Sequence, residues 1–170
     1  MTTNQDMKKR LLVLIISIAG HGAFGQQYIT AVGVKGDWSS LDTDMAQLTL
    51  KHFFSGPSAF EINIGGGRRF VWLEGLYLSS YDLKHSIDWY FGGGIDLGYW
   101  NNNFDGAYDD FTHTGFWGGV TGVFGIEYTT KVVPLNFALD FGPTLRFLPD
   151  IAVGGKIGFS TRYAFGANRK

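Results

Sequence analysis

Three histidines lie beyond the first 25 residues, His52, His85 and His113, and each is a candidate general base. Acyl transfer on a strand needs a nucleophile two residues from the base, because alternate side chains share a face. The residues at that spacing are Phe54, Ile87 and Gly115, none a nucleophile, and the chain has no Cys. Glu127 and Asp140 offer two carboxylates for acid/base work, against which stands plain ion pairing with Arg146, Lys156 or Arg162. The runs Gly65-Gly66-Gly67 and Gly92-Gly93-Gly94 would cradle phosphate only at the start of a helix. No helical periodicity follows either run, so both read as close-packing positions in strands. Residues 101–114 hold Asp105, Asp109, Asp110 and His113, groups able to bind Ca²⁺ or another divalent ion. Their order fits no known ion-binding loop, so a solvated surface loop without metal is expected. Arg68 and Arg69 sit at a tight turn, placed to grip a phosphate or to anchor a rim.

The elements that must position these groups are strands. In Asp88-Trp89-Tyr90-Phe91-Gly92-Gly93-Gly94-Ile95-Asp96-Leu97-Gly98-Tyr99, Trp89, Phe91, Ile95, Leu97 and Tyr99 fall on one face, with Asp88, Gly92, Gly94, Asp96 and Gly98 on the other. Turn signals divide the chain into eight such strands, at 28–35, 46–53, 59–66, 70–80, 87–100, 116–129, 135–146 and 155–165. The longest connection is 101–114. The fold class expected is all-β, an eight-stranded antiparallel up-and-down transmembrane barrel over residues 26–170, with no second domain or repeat.

Residues 1–25 read as a cleavable signal peptide: Met7-Lys8-Lys9-Arg10 is basic, residues 11–19 are apolar, and Ala23-Phe24-Gly25 suits cleavage. A polar lead before the basic cluster makes Met7 a second candidate start. No later segment offers the ~20 apolar residues of a membrane-spanning helix. Charged residues are 17% of the chain, below the ~25% usual in soluble domains. The net charge of -1 gives no reason to expect nucleic acid.

Alternation alone does not separate a membrane barrel from a soluble barrel that carries an apolar ligand; the polar face does. It is rich in Gly and poor in Lys and Glu, unlike a face meeting water, and suits a narrow bore in which Gly makes room for large neighbours. Alternation places Lys35, Lys51, Arg146, Lys156 and Arg162 inside with Glu61, Glu74, Asp96, Glu127 and Asp140, a near-neutral ion-pair network as a dry lumen requires. It places Tyr28, Trp89, Tyr99, Tyr128, Tyr163 and Phe165 outside as interface aromatics, in a face without charge.

Leu48-Thr49-Leu50-Lys51-His52-Phe53, Asp88 to Gly94, Gly125-Ile126-Glu127-Tyr128, Pro134 to Asp140 and Arg162-Tyr163-Ala164-Phe165 resemble strands of the small eight-stranded outer-membrane barrels of Gram-negative bacteria, the group with the OmpA transmembrane domain and OmpX. The likeness is greater still to short outer-membrane barrels of uncharacterised role. It implies an outer-membrane location with periplasmic termini and loop 101–114 extracellular. A monomer without cofactor is expected, in contact with membrane lipid and lipopolysaccharide and passing through the barrel assembly machinery during biogenesis. Such barrels usually end on an aromatic residue; here Phe165 is followed by Gly166-Ala167-Asn168-Arg169-Lys170. The expected role is structural or surface-interacting, with a plugged lumen and no catalysis. The alternatives are a narrow solute pore and a lipid A-modifying enzyme; some barrels of this size are lipid A deacylases with a His and a Ser two residues apart.

Overall fold

The computed structural model describes residues 28–41, 44–67, 70–84, 86–100, 115–130 and 132–166. Residues 1–25, His85, the loop 101–114 with Asp109, Asp110 and His113, and Arg68 and Arg69 all lie outside the described residues.

Eight strands follow one another: β1 (Thr30–Ser39), β2 (Met45–Ser55), β3 (Ser58–Gly66), β4 (Phe70–Lys84), β5 (Ile87–Trp100), β6 (Gly115–Thr129), β7 (Leu135–Leu148) and β8 (Ala152–Phe165). Each pairs antiparallel with its neighbours, and β8 pairs with β1 to close an all-β barrel. Followed once around, the registers return to β1 displaced by ten residues. For eight strands that stagger sets a tilt of about 40°. Tyr28 and Phe165 mark what we call the terminal end; the opposite end is the loop end.

β1, β4, β7 and β8 run further than turn signals alone suggest. Gly36 and Asp37 look like turn residues but pair in register with Ala46 and Met45 of β2. β4 continues past Ser80 because Tyr81 and Asp82 pair with Trp89 and Asp88.

The outer face is apolar. Along β2, β3, β5 and β8 the exposed residues include Leu48, Leu50, Phe60, Ile62, Ile64, Ile95, Leu97, Ile157 and Phe159. Apart from Asp82 and Lys84 at the end of β4, no charged residue of the described strands is exposed. Rings crowd the terminal end: Phe54 stacks on Phe60 with centroids 4.8 Å apart, and Tyr81 on Trp89 at 5.2 Å. Tyr99 meets Phe116 at 4.9 Å toward the loop end. Trp89, Tyr99, Tyr128, Tyr163 and Phe165 all stand on this outer side.

Tyr28 does not. It is buried, its ring lies edge-on to Phe53 at 5.2 Å, and its hydroxyl donates to Glu127 Oε2 at 2.9 Å. The alternation breaks just before β1, where exposed Ile29 donates its N–H to the Phe165 carbonyl and accepts from Phe53 N. The chain there bends over the lumen and carries the tyrosine in with it.

Inward glycines serve two purposes. A side-chain carbon on Gly98 or Gly125 would run into the rings of Trp117 and Tyr90, so these positions make room for large neighbours. On Gly33, Gly92, Gly94 or Gly142 it would meet the backbone of the adjacent strand, so these positions let the sheet coil tightly enough to close.

Candidate functional site: the charged lumen

Because lumen-facing residues alternate with outward-facing ones, the register decides which charges meet. All ten charged residues assigned inward from the sequence are buried: Lys35, Lys51, Glu61, Glu74, Asp96, Glu127, Asp140, Arg146, Lys156 and Arg162. Asp37 and Asp88 join them. Near-neutrality therefore fails among the described residues, where seven buried carboxylates face five buried cations. Asp37 had been placed in a loop, and the extra length of β1 turns it inward.

Lys35 is a hub. Its Nζ lies 3.2 Å from Asp140 Oδ2, 3.4 Å from Glu61 Oε1 and 3.8 Å from Asp37 Oδ1. Arg162 reaches across the bore from β8 to Glu61 on β3, Nη2 to Oε2 at 2.8 Å. Lys156 pairs with Glu74 and lies 4.0 Å from Asp37 Oδ2. Asn63 Nδ2 links the two glutamates, donating to Glu74 at 2.8 Å and to Glu61 at 3.1 Å. The contacts make a closed circuit through Lys35, Asp37, Lys156, Glu74, Asn63 and Glu61. Gln47 Nε2 ties Asp37 to β2 at 2.6 Å, and the Tyr90 hydroxyl ties Asp140 to β5 at 3.0 Å.

A second group lies toward the terminal end. Lys51 Nζ is 2.8 Å from Glu127 Oε1 and 4.4 Å from the Tyr90 ring centroid. Asn136 and Tyr28 donate to the other Glu127 oxygen at 3.2 and 2.9 Å. The pairing thus differs from the sequence expectation: Glu127 takes Lys51 and Asp140 takes Lys35, not Arg146, Lys156 or Arg162. Adjacent strands carry those carboxylates, but the tilt brings residues from strands far round the barrel to the same height.

Apolar groups lie on both sides of the charges. Tyr28, Phe53, Leu78 and Tyr90 cluster toward the terminal end, and Met45, Trp72 and Trp117, with Phe70 and Trp100, toward the loop end. The Trp72 and Trp117 centroids are 5.5 Å apart, with Lys156 and Arg146 over their faces at 5.6 and 5.7 Å. Arg146 Nη2 also donates to the Leu41 carbonyl at 2.7 Å, holding the β1–β2 connection to β7. Tyr90, Trp72 and Trp117, not among the residues singled out from the sequence, have the inward parity of their strands, and that parity is the signal that finds them.

Outside the lumen, polar contacts also stand on the outer side: the Ser58 and Tyr77 hydroxyls are 3.0 Å apart, and a second contact involves a histidine. Thr30 Oγ1 and His52 Nδ1 are 2.8 Å apart on paired strands β1 and β2, a hydroxyl–imidazole pair that no within-strand spacing reveals. No carboxylate pairs with His52 among the described residues. Those residues also contain no group of three His, Cys, Asp or Glu side chains arranged to hold a metal ion.

No protein-family model matches the chain, and no curated protein matches it. A solved structure does: the N-terminal β-barrel domain of Pseudomonas aeruginosa OprF, with a TM-score of 0.60 over 81% of this chain and 98% of that one. At 9% identity the likeness is one of fold. The chain has the architecture of a small eight-stranded barrel.

Proposed function

We propose that the protein is a small outer-membrane barrel with a sealed lumen, acting as a structural or surface-interaction component through its loop end. The observation that carries this reading is the circuit of ion pairs from Lys35 to Glu61, packed between the Trp72–Trp117 and Tyr28–Phe53 clusters. Eight strands leave a bore only just wide enough for side chains, and these side chains fill it. The uncharged outer face supports lipid as its solvent, and the girdle of rings suits the two interfaces. On this reading the termini are periplasmic, loop 101–114 is extracellular, and the protein meets lipopolysaccharide as a monomer. The assembly machinery is its partner during biogenesis, no cofactor takes part, and nucleic acid is not a partner. Arg68, Arg69, Asp109, Asp110 and His113 are the surface groups proposed for contact.

Planar-bilayer recording from the purified chain tests the seal. The expected trace is flat; steady openings scaling with salt would overturn the sealed lumen in favour of a narrow solute pore. Labelling of a cysteine placed at Asp109 on intact cells tests the orientation, with labelling from outside expected.

The Thr30–His52 contact favours a second reading, a lipid ester hydrolase with Thr30 as nucleophile and His52 as base. With no acid on His52 among the described residues, it is the weaker one. Mass spectrometry of outer-membrane lipids, phospholipids as well as lipid A, from cells with and without the protein decides: an acyl chain lost only when Thr30 is present supports it, and unchanged lipids remove it.

A further inference from the structure

We infer that the outer wall carries a groove for one acyl chain of lipid A, floored by Gly75, Gly93, Gly122, Pro143 and Gly155. The inference rests on the outer-membrane reading above. Strand register lines the floor up: Gly93 of β5 faces Gly122 of β6, the Pro143 ring of β7 lies against Gly122, and Pro143 faces Gly155 of β8. Gly75 of β4 sits diagonal to Gly93, being paired with Ile95. All five have the outward parity of their strands, and none is buried. Two rows of larger side chains flank them, each paired residue to residue across β5 to β8. Phe91, Phe124, Phe141 and Ile157 stand on the terminal side, and Ile95, Val120, Leu145 and Val153 on the loop side.

The inward glycines answer to neighbours inside the barrel; these outward ones do not. A carbon added to Gly75 would meet nothing within 4 Å, and at Gly155 the nearest atom is the Gly142 carbonyl oxygen at 3.6 Å. On Gly122 it would lie 3.3 Å from the Pro143 ring, and on Gly93 2.9 Å from the Thr121 carbonyl oxygen, the one tight approach of the four. No flanking ring has folded down over Gly75 or Gly155, so the floor is open. Glycine weakens a strand interior, and where no neighbour needs the space it marks close approach by a ligand.

Charge and continuity with the surrounding wall identify the occupant. Floor and flanks hold no charged side chain, so the complementary ligand is apolar, and the groove runs unbroken into the outer face assigned to lipid on that reading. The four steps from β4 to β8 make it ~19 Å long, and four residues of strand set its flanking rows ~13 Å apart. Side chains of both rows narrow that opening to about one hydrocarbon chain, well under the ~10–12 Å of a helix. A second barrel is convex and would touch only the flanking ridges. The floor climbs from the middle of β5 to within three residues of Ala152, where β8 starts at the loop end. It therefore lies in the leaflet at the loop end, which holds lipid A if the loops face outside.

The test uses the full refolded chain in detergent micelles, incubated with lipid A or with phosphatidylethanolamine, washed, and read by native mass spectrometry. The difference in gel migration between unboiled and boiled samples reports that each variant is folded. Wild-type protein is expected to retain one lipid A molecule. Gly75→Leu and Gly155→Leu, whose side chains fill the space of several methylenes, are expected to retain less than roughly a tenth as much. No retained lipid A, or equal retention by the folded leucine variants, overturns the groove. Phosphatidylethanolamine held as firmly as lipid A overturns the choice of ligand. Should either leucine variant fail to fold, the other decides, with Gly155→Ala as the milder filling. Failure of the underlying reading looks different: the protein then stays in solution without detergent, whereas a detergent-requiring barrel that keeps no lipid removes the groove alone.

Discussion

Replacing Lys35 by Met removes the hub charge while nearly keeping its length and volume. Three carboxylates, at 3.2, 3.4 and 3.8 Å, then lose their common cation. Lys35, Glu61, Asp37 and Asp140 are all buried, so little solvent screening softens the loss. Breaking a buried ionic contact from one side costs ~3–5 kcal/mol, because it strands charge in a low dielectric. An equivalent contact in a water-filled channel is worth ~0–1 kcal/mol. The two values differ by a factor of at least ~30 in the folded-to-unfolded ratio, so the substitution reports whether the lumen is dry. The assay is reversible urea unfolding of the refolded chain in lipid vesicles, followed by tryptophan fluorescence and by gel migration. A loss of at least ~3 kcal/mol is expected, partly recovered by adding Glu61→Gln. A loss under ~1 kcal/mol would refute the reasoning, since it would mean that water screens the circuit.

Other expectations can be checked by the same unfolding curves. Gly98→Ala should cost ~1–3 kcal/mol because the new methyl meets the Trp117 indole. Gly75→Ala, where an added carbon would meet nothing within 4 Å, should stay within ~0.5 kcal/mol. Ile95→Arg, in the middle of the outer face, should cost ~2–4 kcal/mol in vesicles, whereas Ile151→Arg at the β7–β8 turn should cost at most ~1 kcal/mol. Equal, small effects at the two positions would count against lipid as the outer solvent. Tyr28→Phe should lose ~1.5–3 kcal/mol through its bond to Glu127, where an interface tyrosine would lose much less.

Much of this was legible in the chain because period-two alternation is a local property. Trp89, Phe91, Ile95 and Leu97 announce an outer face without reference to any other strand, and the eight strand centres follow from the turn residues between them. What a linear reading could not supply was the stagger. Which cation meets Glu127 depends on the displacement of each strand against the next, summed around the barrel, so its partner Lys51 comes from β2 and not from the neighbouring strands. Tyr28 was misplaced by a bend of one residue at Ile29, and Asp37 by the turn-like look of Gly36-Asp37. Thr30 and His52, 22 positions apart, share no sequence signal at all.

The ionic circuit also bears on how such a chain reaches its final form. Two of the five buried cations, Lys156 and Arg162, arrive with the last strand, and their partners Glu74 and Glu61 are made far earlier. Until β8 zips against β1, Glu74 lacks Lys156 and Glu61 lacks Arg162, so an open sheet carries uncompensated charge on the surface that must become its interior. Contacts spanning so much of the chain form late. Closure and charge compensation are thus one event: a chain cut short before Lys156 loses more than a wall of the barrel, since it also presents an acidic interior that resists burial. The ionic contacts of β8 therefore favour a correctly staggered, closed sheet over an open one.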